Sequence, residues 1–360
     1  MTNNSLFVFF AFILALILAY AVTPISIRLA FKINALDVPK DGRRMHKKPT
    51  PRIGGIAIVY GVIISACCFS RFIVDGAVNL SLIGILCGAV LIAVLGFLDD
   101  LKPKPAILKF LIQIVAAAIP VFCGVRVMAI TNPFTDMMMK IPVWISYGAS
   151  IIWIVGVTNA VNLIDGLDGL AAGVSSIASV ALLTILLMQH NADVTMVILT
   201  AALAGACFGF LPFNFNPAKT FMGDVGATFL GFMLGCISIQ GPFKTYVSFV
   251  IPFLIIGLPI FDTAFAILRR LAKGQGIMTP DRGHMHHRLI DSGFSHRTTV
   301  IILYVLSAVL AISAIVLFLS DFVRALLIML AMIVLAGIFI VGRHSSSKND
   351  DDTSDGKNKH

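Results

Sequence analysis

Eleven apolar stretches, each about long enough to cross a bilayer, occupy most of this 360-residue chain. They cover 6–30, 53–73, 80–98, 106–123, 142–158, 171–189, 194–213, 226–241, 246–268, 299–320 and 324–342. A hydrocarbon layer about 30 Å thick takes about 20 helical residues, and a helix satisfies its own backbone polar groups, so the pattern predicts an all-α polytopic membrane protein with about eleven transmembrane helices. Hydrophobic residues make up 58% of the chain and charged residues 12%, with mean hydropathy +0.96, more apolar than a soluble core needs. One membrane domain over 1–342 is expected, and the polar stretch 343–360 reads as a disordered tail.

Charge then sets the orientation. The 27 Lys+Arg outnumber 18 acidic residues, all of them Asp, for a formal charge of +9. In a soluble domain that excess would suggest a nucleic-acid partner, but here it sorts by side of the membrane. Connections 32–52, 99–105, 159–170, 214–225 and 269–298, with the tail and Lys109, hold 21 of the 27 basic residues, and the opposite connections hold five. By the positive-inside rule the basic side is cytoplasmic, which places the N-terminus outside and the C-terminus inside. A cleaved signal peptide is the rival reading of the first stretch, since Ala19-x-Ala21 resembles a cleavage site. However, no basic residue precedes the apolar run, and Arg28, Lys32, Arg43 and Arg44 would have to be translocated. Cys67, Cys68, Cys87, Cys123, Cys207 and Cys236 form no C-x-x-C pair and read as small buried hydrophobes.

Nearly every unusual polar cluster falls on the cytoplasmic side. Leu80 to Leu98 is almost entirely aliphatic and stops at Asp99-Asp100. An ionised side chain at bilayer depth costs about 2.5 to 3.5 kcal/mol, so a metal ion, a lysine or a proton must offset the pair. Asn159-Ala160-Val161-Asn162-Leu163-Ile164-Asp165-Gly166-Leu167-Asp168-Gly169 offers carboxylates, carboxamides and glycines in a turn that can approach a ligand closely. Its D-G-x-D-G spacing looks like part of a calcium loop, but the terminal Glu is missing, and helix capping alone would also use these residues. Asn214 to Gly226 joins two spans, and Asp224 stands just before an apolar helix, where it is either a plain cap or a metal-binding carboxylate beside free amides that suit phosphate. The longest internal loop contains Asp281-Arg282-Gly283-His284-Met285-His286-His287-Arg288, a poor zinc signature whose arginines suit an anion. A solvated basic loop is its plain alternative, and the same holds more strongly for Arg43-Arg44-Met45-His46-Lys47-Lys48. These residues together call for a divalent metal, a phosphate-rich soluble ligand and a hydrophobic second substrate. A secondary transporter would place its polar residues near the bilayer midplane and show repeats, and a scaffold would leave the carboxylates without purpose.

The pieces Pro49-Thr50-Pro51-Arg52-Ile53-Gly54-Gly55, Phe97-Leu98-Asp99-Asp100, Asn159 to Leu170, Phe221-Met222-Gly223-Asp224 and His284-Met285-His286-His287-Arg288 occur in the order seen in polyprenyl-phosphate N-acetylhexosamine-1-phosphate transferases. The chain resembles that family over about residues 1 to 342, and most of all the bacterial branch that makes undecaprenyl-diphospho-N-acetylglucosamine for teichoic acid, O-antigen or other surface polymers. The sister branch that uses the muramoyl-pentapeptide donor shows a continuous three-histidine run. The H-M-H-H-R sequence here departs from it and favours a simple UDP-linked aminosugar. The resemblance implies that UDP-GlcNAc and undecaprenyl phosphate react with Mg²⁺ or Mn²⁺ at the cytoplasmic face of a bacterial plasma membrane, releasing UMP, and a homodimer is consistent with it. It implies Asp224 as a metal ligand and Asn162 as a metal or pyrophosphate contact, with Asp168 and Phe221 on uracil. It makes Asp99 and Asp100 an essential pair that serves as base or further metal ligands, and Lys109 a phosphate contact. Lys48, Asp165, Asn214, His284, His286, His287 and Arg288 complete the expected substrate contacts. Direct attack by the lipid phosphate and a covalent route through Asp99 or Asp100 both remain open.

Overall fold

Nine of the eleven apolar stretches form single helices in the computed structural model of the protein. The structure describes residues 2–38, 49–70, 73–74, 77–131, 138–189, 192–240, 247–272, 274, 283–319 and 330–331. The first eight helices are α1 (Thr2–Lys32), α2 (Ile56–Phe69), α3 (Leu80–Leu101), α4 (Ala106–Phe122), α5 (Val143–Ile164), α6 (Leu170–Met188), α7 (Val194–Asn214) and α8 (Gly223–Gln240). After them come α9 (Val247–Ile255), α10 (Gly257–Ala272), α11 (Met285–Asp291) and α12 (His296–Leu319). Among the described residues seven helices, α1, α3, α5, α6, α7, α8 and α12, are long and apolar enough to cross a bilayer, and α2 and α4 are shorter apolar helices. The chain is a multi-pass membrane protein. The expected span 324–342, the tail, Lys48 with its basic run, and Asp281 and Arg282 lie outside the described residues or almost wholly so.

Four expectations need correction. The stretch 246–268 is two helices, because Pro259 has no N–H for the carbonyl of Ile255 and its ring crowds that carbonyl. Helices α3 and α5 continue past their last apolar residues, so Asp99 and Asp100 ride the final turn of α3, and Asn159 and Asn162 are helical rather than part of a turn. Three two-stranded antiparallel ribbons supplement the helices: β1 (Leu36–Asp37) with β2 (Thr50–Pro51), β3 (Ile73–Val74) with β4 (Ala77–Val78), and β5 (Ala129–Thr131) with β6 (Met138–Lys140). Cys67, Cys68 and Cys87 are exposed, and only Cys207 and Cys236 are buried. In a membrane helix an outward thiol meets lipid, so a hydrophobe has no need of a protein core.

The interior is built on α6, α7 and α8. Buried residues make up 83% of the spans of α7 and α8 and 72% of α6, against 22% of α1. Helix α8 packs against α3 and α5, α7 against α1, α2 and α6, and α12 against α6 and α9. Small residues permit these approaches. A Cβ on Gly96 of α3 would lie 2.5 Å from the Cα of Val225, and one on Gly231 of α8 would lie 2.6 Å from the Cα of Thr158 on α5. Because successive helices alternate in direction, the ends of α3, α5 and α7 meet the starts of α4, α6 and α8 at one end of the bundle. At the other end Asn79 donates to the hydroxyl of Thr195 (3.0 Å), and Gln240 donates to the Gly124 carbonyl (3.1 Å).

Candidate active site

The segment Pro51 to Gly55 acts as a clasp. Phe221 N–H donates to the Pro51 carbonyl (2.8 Å), Gly54 N–H to the Phe221 carbonyl (3.0 Å) and Gly55 N–H to the Met222 carbonyl (2.9 Å). The clasp seats the turn that starts α8. Gly223 in that turn has φ +69°, and a side chain there would run into Arg52 and the Asp100 carboxylate. The space left by glycine lets Asp100 reach the start of α8, where its Oδ1 accepts from Asp224 N–H and its Oδ2 from Val225 N–H, both at 3.0 Å. The Arg52 guanidinium stands 3.9 Å from the same carboxylate. Asp100, expected as a catalytic or metal-binding group, thus caps α8 and aims Asp224.

Lys109 on α4 completes the cluster. Its Nζ donates to Asp99 Oδ2 (3.0 Å) and Asp224 Oδ2 (3.1 Å), joining the end of α3 to the start of α8. The other oxygen of Asp99 accepts from Lys104 N–H (2.7 Å), so the otherwise unassigned connection 102–105 serves to orient this carboxylate. Asp165 follows the last turn of α5, where its N–H donates to the Asn162 carbonyl (3.3 Å). Loss of hydration, and then the charges of Asp224, Asp100 and Asp168, push its carboxyl up to about 8.

A second set of polar residues ties the loops together. Asp168 Oδ2 accepts from Asn216 Nδ2 (2.9 Å) and Ala218 N–H (3.0 Å), and Asp168 N–H donates to His296 Nε2 (2.9 Å). Asn214 is buried, with its Oδ1 accepting from Gly169 N–H (3.1 Å) and its Nδ2 donating to the Thr220 carbonyl (3.0 Å). Asn159 is half-buried, donating to Gln113 and to the Val155 carbonyl. Asn214 and Asn159 therefore shape the scaffold, Asn162 is half-buried on the last turn of α5, and Phe221 is half-buried beside the clasp. His296, Arg297, which donates to the Asn216 carbonyl, and Tyr304, which donates to the Gly169 carbonyl, come from α12 and were not among the expected residues. His296 and Arg297 close the polar stretch 281–297 of the longest internal loop, and Tyr304 lies inside the apolar run 299–320, where nothing in the sequence marks it.

The histidine segment forms α11, which is capped by Asp262 of α10. Asp262 Oδ2 lies 2.9 Å from His284 Nδ1, and Oδ1 accepts from Met285 N–H (2.8 Å). His286 is buried against Gly166 of the α5–α6 turn. Burial first, and then the neighbouring His287, push its imidazole down to about 4, so it is neutral at physiological pH and packs rather than binding an anion as a cation. His287 and Arg288 are half-buried on the same short helix.

Among the described residues no group of three His, Cys or Asp side chains is placed to hold a metal ion. The acidic groups around Asp224 are the carboxylates of Asp99, Asp100 and Asp165. They suit Mg²⁺, which binds through one or two carboxylates and completes its shell with water and substrate phosphates.

Residues 82–242 match the family described as glycosyl transferase family 4. The chain is 41% identical over 332 residues, 90% of each chain, to a probable undecaprenyl-phosphate N-acetylglucosaminyl 1-phosphate transferase of Bacillus subtilis. The protein belongs to glycosyl transferase family 4. A decaprenyl-phosphate N-acetylglucosaminephosphotransferase of Mycobacterium tuberculosis is 33% identical over 350 residues, 90% of this chain and 85% of that one. An undecaprenyl-phosphate alpha-N-acetylglucosaminyl 1-phosphate transferase of Escherichia coli is 29% identical over 303 residues, 79% of this chain and 77% of the other. The glycosyl transferase family 4 segment runs from α3 through α8 and contains Asp99, Asp100, Lys109, Asn162, Asp165, Asp168, Phe221 and Asp224. The clasp and α11 lie outside it.

Proposed function

We propose that this protein transfers N-acetylglucosamine 1-phosphate from UDP-GlcNAc to undecaprenyl phosphate at the cytoplasmic face of a bacterial plasma membrane. The products are undecaprenyl-diphospho-GlcNAc and UMP, and the reaction is the first membrane step toward a surface polymer. One observation carries the reading: an ammonium bridges two carboxylates beside the start of a helix, at one end of a multi-pass bundle whose relatives are named for this sugar phosphate and this lipid.

In the reaction an oxygen of the lipid phosphate attacks the β-phosphorus of UDP-GlcNAc, the bond from that phosphorus to the bridging oxygen breaks, and UMP leaves with the electron pair. Such transfers depend on positioning and on neutralising the growing charge. Lys109 contributes a cation, and Asp99 and Asp224 fix its direction. A bound Mg²⁺ or Mn²⁺, held by Asp224 with Asp165 and Asn162 as further candidate donors, would supply the remaining positive charge. By analogy with phosphoserine, whose second pKa is about 6, the lipid phosphate is largely ionised near neutral pH, so a base helps but is not essential. Direct displacement is favoured because a covalent route would require Asp100 to release two helix amides or Asp99 to release Lys104 N–H and Lys109. Asp168 and Phe221 are assigned to uracil, and Lys48, His287 and Arg288 to the phosphate and sugar end. The same reading includes eleven spans with the N-terminus outside, a membrane domain over 1–342 with a tail at 343–360, and a homodimer.

The test incubates purified protein with undecaprenyl phosphate, Mg²⁺ and labelled UDP-GlcNAc, UDP-GalNAc or UDP-MurNAc-pentapeptide. Labelled lipid diphosphosugar from UDP-GlcNAc is expected. Product from another donor alone would overturn the donor assignment, and no product from any would overturn the reaction.

A further inference from the structure

Asp262 is a carboxylate 5% exposed, in a stretch whose sequence is otherwise that of a membrane span. An ion in that setting is costly unless it is well paired, and its partners show what it is for. Both oxygens are engaged by one short segment, Oδ1 by Met285 N–H and Oδ2 by His284 Nδ1. His284 makes no side-chain cap to its own helix, so α10 supplies the cap that α11 lacks. With Nδ1 fixed, the imidazole of His284 is set in orientation, and it lies nearly parallel to His286, 11° between planes and 5.9 Å between centroids. His286 in turn rests on Gly166, between Asp165 and Asp168. A continuous chain of contacts thus runs from Asp262 through the two rings to the turn that carries the carboxylates.

We infer that Asp262 is the positioning residue of the donor end of the site, setting the start of α11 and the orientation of His284 and so the placement of His287 and Arg288. The inference rests on the proposed reaction for what α11 touches, but not for the contact itself. Met285, Leu289 and Ile290 also pack on the main core, so α11 keeps an apolar hold when the carboxylate is removed. Loss of Asp262 therefore shifts the helix without unfolding the bundle.

The experiment compares the full chain with Asp262→Ala, Asp262→Asn, His284→Ala and the Asp262→Ala/His284→Ala pair, all in the same detergent. Amide exchange over 284–291 reads the helix, steady-state kinetics read the donor, and inhibition by UMP reads the nucleotide side. Asp262→Ala is expected to speed exchange at Met285 at least tenfold and to lower kcat/KM for UDP-GlcNAc at least tenfold, with UMP inhibition within twofold of the parent. Asp262→Asn keeps an acceptor for Met285 but loses the anionic partner of His284, so it should restore slow exchange and leave kcat/KM at least threefold low. The paired variant should be no worse than the poorer single. Unchanged exchange and kinetics in Asp262→Ala, or single losses that multiply in the pair, would overturn the assignment. If Asp262→Ala does not fold, Asp262→Asn decides, and parent-like kinetics in it would overturn the assignment. A parent protein that makes no product from UDP-GlcNAc would refute the proposed reaction, while exchange would still decide whether Asp262 positions α11.

Discussion

Lys109 stands 3.0 Å from Asp99 and 3.1 Å from Asp224, so the chain itself supplies a cation to the two carboxylates it brings together. Asp224 keeps 23% of its side chain exposed, whereas Asp100 has none, which separates a group that can meet substrate from one that cannot. Asp224→Asn should cut transfer more than a hundredfold and leave the melting temperature within a few degrees, since it removes a charge with little change of shape. Near-normal turnover at ordinary Mg²⁺ would refute the metal role. His286 gives a pH dependence. The folded protein holds it neutral down to about 4, while an exposed histidine takes up its proton near 6.5. Between those values the opened loop binds more protons than the closed one, so acidification weakens closure by about 1.4 kcal/mol per pH unit, and above that window pH has no such effect. Exchange over 284–291, corrected for intrinsic rates, should rise from pH 7 to pH 5, and His286→Asn should flatten the rise.

Helix α8 begins on amides held by Asp100 of α3, and this determines what the two acidic positions do when altered. Asp100→Asn should weaken a charge-assisted pair of hydrogen bonds, at a cost of about 1.5 to 3 kcal/mol. It should therefore lower the melting temperature and the turnover together, and loss of turnover at unchanged melting temperature would return Asp100 to the chemistry. This distinction was not legible in the sequence. The carboxylates stood out because charge at the end of an apolar run demands compensation, and Asp99, Asp100, Asp165 and Asp224 do converge. Their division of labour depends on backbone groups such as Val225 N–H, whose position only tertiary packing fixes. Asn214 and Asp168 were visible as polar residues for the same reason, yet their partners, Gly169 N–H and Ala218 N–H, belong to loops folded against them. Helices α3 and α5 outran their apolar stretches because both pack on α8, which supports polar final turns that a hydropathy pattern ends too soon. Asp262 was readable in principle, as a lone carboxylate in an apolar run, but averaging over the run 246–268 hid it.

For the molecule as a whole, alternation of the helices places all the expected site residues that are described at one end of the bundle, and the basic connections predict that this end faces the cytoplasm. In a variant with the native cysteines replaced, a cysteine at Lys104 should react with a membrane-impermeant maleimide only in inside-out vesicles, and one at Lys140 only in right-side-out vesicles. The reverse pattern would invert the topology. The link between α3 and α8 also bears on how the protein is made. The amide that Asp100 Oδ2 accepts from is 125 residues further along the chain. At translation rates of 5–20 residues per second, α3 waits roughly 6 to 25 s at the membrane before its partner is synthesised. During that interval the carboxylate at its end stays hydrated at the membrane surface, and a chain cut before α8 would never draw it in. The end of the bundle that holds the acidic cluster can therefore close only after most of the polypeptide has been inserted, and abandoned nascent fragments would carry an exposed acidic end by which they could be distinguished from finished protein.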